Sequence, residues 1–251
     1  MITLKGKVAI VTGGTRDIGR SCSIRLAEAG AKVVVNYHSS KSAGDETVAA
    51  IENAGGTALL VQGDMTRKVD VDNLIAQARN AFGGAIHVLV NNVGGLVARK
   101  KLAEMDEEFF NKVMSLNMIS TFLATQAVVP HMPSGSAIVN LASLAGRDGG
   151  GGGASAYSAA KGAVITFTRS MAKELGPQGI RVNALCPGMI DTTFHDTFTP
   201  DAVRKNVESS VPLRRQGHPG DCADAVVYLA SDASSYITGA NIDINGGMFF
   251  S

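Results

Sequence analysis

Three side chains in one stretch have the types and spacing for proton chemistry: Ser143, Tyr157 and Lys161. Ser143 follows an apolar run. A loop with five successive glycines (Gly149 to Gly153) comes next, and Tyr157 and Lys161 lie four residues apart beyond it. The segment Ala154 to Leu175 is dense in helix formers and free of proline, so it reads as helix. On a helix, residues four apart share a face about one turn from each other. A free phenol has a pKa near ~10 and exchanges protons poorly at neutral pH. An ammonium beside it favours the phenolate and lowers that value. A serine hydroxyl nearby could orient a carbonyl or alcohol against the phenol, an arrangement suited to carbonyl reduction. In a chain with four tyrosines such a pair can arise by chance, so the surrounding elements decide its meaning.

Those elements alternate from the start. Lys7–Thr12 is a short apolar run of β-branched type, a strand buried on both faces. Six more strands are expected at Lys32–Asn36, Thr57–Gln62, Ile86–Val90, Ala137–Leu141, Arg181–Leu185 and Asn241–Ile244. Helices are expected at Ile18–Ala29, Lys41–Asn53, Val69–Phe82, Asp106–Val129 and Pro219–Leu229, besides the one carrying Tyr157. Repeated strand–helix–strand units with buried strands imply an α/β, doubly wound sheet of about seven parallel strands with helices on both faces. No linker or composition break divides residues 1–251, which read as a single domain. Ligands on such sheets sit beyond the carboxyl ends of the strands, where the chain gathers glycine, asparagine and serine: 12–19, 36–40, 63–66, 91–95, 143–153 and 187–193.

The first of these turns, Thr12-Gly13-Gly14-Thr15-Arg16-Asp17-Ile18-Gly19, lies between a strand and a helix. Its glycines permit close backbone approach, and the helix N-terminus offers free N–H groups and a positive dipole to a diphosphate. The spacing departs from Gly-x-Gly-x-x-Gly. This turn, Asn91-Asn92-Val93-Gly94, the Ser143, Tyr157 and Lys161 set, Pro187-Gly188 with Thr192, and Thr238-Gly239 leading to Asn245-Gly246-Gly247 resemble the short-chain dehydrogenase/reductases over essentially the whole chain. The nearest resemblance is to the 3-oxoacyl-(acyl-carrier-protein) reductase branch.

The resemblance implies a Rossmann-type fold and a set of roles. Tyr157 donates or accepts the proton, Ser143 positions the carbonyl, and Lys161 lowers the Tyr157 pKa and holds the nicotinamide ribose. Asn117 anchors a water that relays protons to Lys161. The dinucleotide is expected to meet Gly13, Thr15, Arg16, Asp17, Ile18 and Gly19 in the first turn. Further along it is expected to meet Asn36, His38 and Ser39, Asp64 and Met65, then Asn91, Val93 and Gly94. Pro187, Gly188, Ile190 and Thr192 are expected on the nicotinamide side, with a mobile substrate lid after Thr192. Asn91 resembles a structural asparagine. Two departures stand out: Asp17 replaces a glycine beside the diphosphate, where it could cap the helix or repel phosphate, and the gap from Ser143 to Tyr157 is one residue longer than usual.

NADP(H) is the expected cofactor, because the second strand ends in Asn36 and no acid follows before Asp45. Aspartate or glutamate at that position selects NAD. The expected reaction passes a hydride between NADP(H) and a carbonyl or secondary alcohol, on a 3-oxoacyl thioester or on a sugar, polyol or small ketone. A non-catalytic dinucleotide-binding regulator is the competing class. The five histidines have no ligand spacing, so no metal is expected. A net charge of +1 leaves no footprint for nucleic acid. The Arg99-Lys100-Lys101 run, and Arg147, read as solvated groups or contacts to an acidic carrier. No apolar run of ~18 residues suggests a membrane span, and no basic-then-apolar leader opens the chain. Three scattered cysteines suit a reduced cytoplasmic setting. The helix after Tyr157 is apolar nearly all round, so its outer face should be covered by a second copy in a dimer or, as the resemblance implies, a homotetramer.

Overall fold

The structure is a computed structural model that describes residues 2–250. Seven strands, β1 (Val8–Val11), β2 (Lys32–Tyr37), β3 (Thr57–Gln62), β4 (Val88–Asn91), β5 (Ala137–Leu141), β6 (Arg181–Pro187) and β7 (Asn241–Ile244), form one parallel sheet in the order β3-β2-β1-β4-β5-β6-β7. All sit within two residues of their expected bounds at either end. Alternate residues go to opposite faces, as the period of two requires. Ala9, Val11, Val33 and Val35 face α1 (Asp17–Glu28), α2 (Lys41–Asn53) and the helix Pro219–Ala230. Ile10, Val34, Leu89 and Ile138 face α3 (Lys68–Phe82) and two central helices.

The first central helix was expected as one run, Asp106–Val129. It is instead α4 (Glu107–Met114) and α5 (Ser120–Val128), joined by a π turn at Ser115–Ile119. By length and composition alone, Glu107–His131 is apolar enough to cross a membrane, although Glu107, Glu108 and Lys112 interrupt its apolar run. Its placement is that of a layer helix of the fold: Phe109, Val113, Asn117, Ala124 and Val128 are buried inside the protein. The second central helix runs from Ser155 to Leu175, one residue from its expected start, with a short α6 (Ala145–Asp148) before it, so it becomes α7. The sequence pattern predicts no helix over 193–210. The structure has α8 (Thr193–Phe198) and α9 (Asp201–Ser210) there, then α10 (Pro219–Ala230).

Cys22 and Cys222 are distant in the chain, but the packing of α1 on α10 buries both and sets them near enough for a Cys222 charge to disfavour the Cys22 thiolate. Burial is the larger effect, raising the Cys222 thiol to about 12 and Cys22 further.

Candidate active site

Tyr157 and Lys161 occupy the first turns of α7, on the side facing the carboxyl end of β5. Lys161 is buried; its Nζ donates to the Leu141 carbonyl at 2.6 Å and lies 5.8 Å from the centre of the Tyr157 ring. Burial lowers the Lys161 ammonium to about 8. The Ser143 hydroxyl, just past β5, accepts from the Ala145 amide at 3.1 Å, which fixes the turn into α6. Burial raises the Tyr157 phenol above its ordinary value, and a hydrogen bond with Ser143 opposes that only in part. Burial, rather than the depression expected from Lys161, sets the phenol's direction in this conformation. The half-buried ring is covered in part by Phe194 of α8, whose ring lies 5.9 Å away, and by an apolar wall of Val97, Ala98, Met105, Phe109 and Ala156. Desolvation then outweighs the Ser143 hydrogen bond.

The extra residue between Ser143 and Tyr157 leaves both in contact, because the surplus is taken up in the glycine loop. Gly149, Gly150 and Gly153 adopt positive φ, and the segment before them is pinned: a Cβ on Gly146 would come within 2.8 Å of the Lys161 backbone. Asn117 sits in the π turn, a feature that frequently marks functional sites. Its side chain clamps Gly95, accepting from the amide and donating to the carbonyl, each at 2.9 Å, and donates to Val113 O. Gly94 closes the group. A Cβ there would lie 2.7 Å from Asn117 Oδ1 and 2.9 Å from Lys161 Nζ.

The first turn is built from below. Asn36, buried at the end of β2, accepts from the Gly13 amide at 3.0 Å and donates to Gly63 O at 3.1 Å. It therefore supports the turn rather than facing outward, a different use from the ligand contact expected of it. Asn92 donates to the Thr12 and Gly13 carbonyls at 3.1 and 2.9 Å, and Thr12 Oγ1 accepts from the Asn92 and Val93 amides. Thr15 is buried, with Ile18 and Gly19 beneath the turn; a Cβ on Gly19 would come within 2.1 Å of Gly13 O. Arg16 is exposed and caps α1 with no side-chain bond. Asp17, half-buried, does not cap α1. Its carboxylate accepts from the Thr193 amide at 3.1 Å and the Thr193 hydroxyl at 2.6 Å.

The remaining expected residues divide into rim and scaffold. His38 and Ser39 are exposed past β2. Asp64 follows β3; burial would raise its carboxyl, but hydrogen bonds from the Thr66 amide and hydroxyl hold it low. Met65 turns its side chain into the core. Asn91 donates to Thr125 and Asn140 inside the core, in keeping with the structural role expected of it. Val93 packs partly against that core. Pro187 ends β6, and Gly188 lies so close to Asn245 that a Cβ would meet it at 2.8 Å. Ile190 is buried, and Thr192 donates to its carbonyl at 3.0 Å.

A dinucleotide fits these residues: a helix N-terminus with a glycine turn stands at one end, and the Gly94 cradle beside the buried Lys161 ammonium at the other. Phenol, hydroxyl and ammonium at that second end, on the carboxyl edge of a parallel sheet, define an oxidoreductase site. Known proteins agree. A family described as Enoyl-(Acyl carrier protein) reductase matches residues 13–249. A 3-oxoacyl-[acyl-carrier-protein] reductase of Synechocystis is 40% identical over 99% of both chains. A dehydrogenase/reductase structure from Sinorhizobium meliloti superposes with a TM-score of 0.92 at 33% identity, covering 98% of this chain and 96% of that one. A short-chain dehydrogenase/reductase from Serratia marcescens gives 0.92 at 32%, covering 97% and 98%. The chain belongs to the short-chain dehydrogenase/reductases and is similar to their 3-oxoacyl-carrier-protein reductase branch.

Several contributors carry no local signal. Phe194 comes from α8, a six-residue helix too short to announce itself, and the Leu141 carbonyl is backbone. Asn92 could have been found from its motif, where it neighbours Asn91. Arg147 is not solvated: it is largely buried, paired with Asp243 at 3.3 Å. Arg99 donates to Gly152 O at 2.9 Å and Phe198 O at 3.1 Å, and Lys100 lies over the Phe109 ring. That basic run is thus mostly structural.

Proposed function

We propose that the protein is an NADP(H)-dependent reductase of a carbonyl, or dehydrogenase of the corresponding secondary alcohol, with a carrier-bound 3-oxoacyl thioester as the substrate class to test first. The observation that carries the reaction is the meeting of Ser143, Tyr157 and Lys161 beside the dinucleotide turn. A bound nicotinamide supplies or accepts the hydride at the substrate carbon. Ser143 holds the carbonyl oxygen, and Tyr157 gives it the phenolic proton or takes it back. Lys161 sits next in line to restore that proton, with Asn117 shaping the Gly94–Gly95 backbone at its side. Retention of the whole set argues against a non-catalytic regulator.

The preference for NADP(H) rests on Arg16. No carboxylate ends β2, Lys41 is taken by Asp45 at 2.7 Å, and Arg16 remains exposed beside the turn, ready for a charge-assisted bond to a 2′-phosphate. The printed name of the Synechocystis relative supports the thioester substrate. The aromatic and apolar wall around Tyr157 supports a second reading, a small apolar ketone, over a sugar or polyol. The exposed Phe110, Ile119 and Phe122 of the central helix layer support burial against a second copy in a homotetramer. Three free cysteines support a cytoplasmic setting. The test is kcat/KM for NADPH and NADH on an acetoacetyl thioester, a diketone and a sugar. NADPH should win by tenfold or more, about 1.4 kcal/mol, and Arg16→Ala should erase most of the margin. A wild-type preference for NADH would overturn the cofactor assignment.

A further inference from the structure

Asp17 is built against its own backbone preference. It is the first residue of α1, at φ 51°, in the left-handed region that favours glycine. A side chain at such a position carries a conformational cost, and its compensation lies far off in the chain. Both carboxylate oxygens are taken by Thr193, the first residue of α8, through its amide and its hydroxyl. Hydrogen bonds to an ionised acceptor are among the stronger ones. The other end of α8 is fastened as well, by Arg99 Nε on the Phe198 carbonyl. Between the two fastenings, Phe194 is set on the Tyr157 ring, with Phe198 edge-on to it at 5.2 Å.

We propose that Asp17 is a positioning residue that ties the substrate lid to the dinucleotide turn, so that a diphosphate on the α1 N-terminus and the Asp17–Thr193 contact compete. This rests on the dinucleotide reading above. A diphosphate seated on the first amides of α1 meets the Asp17 carboxylate at close range and repels it. The lid is thereby linked to cofactor affinity, and linkage of this kind is reciprocal. Asp17 holds Phe194 over Tyr157 and weakens the dinucleotide site in the same act. Glycine at this position would do neither.

Two measurements test this, and the first needs no dinucleotide. Amide hydrogen exchange over 193–198 should rise at least tenfold in Asp17→Gly and in Thr193→Val. In Asp17→Asn it should stay near wild type, since the amide retains an acceptor for Thr193 N–H and a donor for its hydroxyl. Asp17→Gly removes backbone strain, so its thermal midpoint should not fall; Thr193→Val approaches the contact from the lid with α1 untouched. Unchanged exchange in both variants would overturn the latch. Asp17→Asn exchanging as fast as Asp17→Gly would reduce Asp17 to a charge effect and overturn it too. The second measurement is NADPH binding by fluorescence titration. Asp17→Gly should bind at least tenfold more tightly than wild type, with Asp17→Asn between. Equal or weaker binding by Asp17→Gly would overturn the competition. If no form bound NADPH, the cofactor reading would fail while hydrogen exchange still decided the latch.

Discussion

Replacing Lys161 by methionine should leave the protein inactive and more stable at neutral pH. The ammonium lies in a nearly dry site, 4% exposed, where burial takes its pKa from 10.5 to about 8. At ~1.4 kcal/mol per pKa unit, keeping it charged in the folded state costs about 3 kcal/mol. Methionine retains the length and apolar stem but loses the bond to the Leu141 carbonyl, worth ~1 kcal/mol. The variant should therefore be about 2 kcal/mol more stable at pH 7. The sign reverses the common lysine case. Because the folded pKa lies below the unfolded one, the unfolded chain holds more protons between about 8 and 10.5, and wild-type stability rises with pH across that window. The penalty is full below about 8 and fades above it. At pH ~9.5 about 2 kcal/mol has been recovered by the wild type, so the gap should close to near zero. Urea unfolding of both proteins at the two pH values measures this; ionisations common to both cancel in the difference. A gap independent of pH, or a variant less stable at pH 7, would refute the buried-ammonium reasoning.

Tyr157→Phe keeps the ring against Phe194 and removes the proton, so turnover should fall by ~10²–10⁴ with the thermal midpoint little changed; near-native turnover would remove Tyr157 from the chemistry. Gly94→Ala drives a methyl into Asn117 Oδ1 and Lys161 Nζ, at 2.7 and 2.9 Å, and should cost ~10²-fold in kcat/KM, the scale of an ångström misplacement; full activity would show that the cradle yields. Phe122→Glu places a charge on the exposed apolar face that also carries Phe110 and Ile119. Light scattering at micromolar concentration should show an assembly for wild type and a smaller species for the variant, and a wild-type monomer would end the oligomer proposal.

The sheet was legible because its strands are short, buried runs whose apolar content shows without knowing their partners. β4, whose expected span started two residues early and stopped one short, shows the usual limit at element ends. Ser143, Tyr157 and Lys161 were legible because strand, loop and helix each announce themselves locally. What lay hidden depends on contacts far apart in the chain. α8 and α9 are short helices on either side of Pro200, each with only one apolar pair at helical spacing, Phe194 with Phe198 and Val203 with Val207, too little to announce a helix. The Asp17–Thr193 contact spans 176 residues. Cys22 and Cys222 meet only after α1 packs on α10. Burial sets the direction of the Tyr157 shift, and a motif that pairs the tyrosine with a lysine carries no trace of the residues that bury it. The π turn at Ser115–Ile119 lies inside a strong helical pattern that gives no hint of an inserted residue.

The loop of five glycines separates the two halves of the proton site without carrying either. Ser143 is held by the end of β5 and the turn into α6, Tyr157 by α7, and the loop is tacked down by Arg99 on Gly152 O, Ser158 on Gly149 O and Lys100 N on Gly153 O. Lengthening such a segment costs little: doubling a flexible loop adds ~0.6 kcal/mol of closure entropy. The chain thus has a place where insertions can accumulate while the chemistry stays in register. A descendant could change what borders the mouth of the site, or an engineer could graft a binding segment there, without rebuilding the reacting groups.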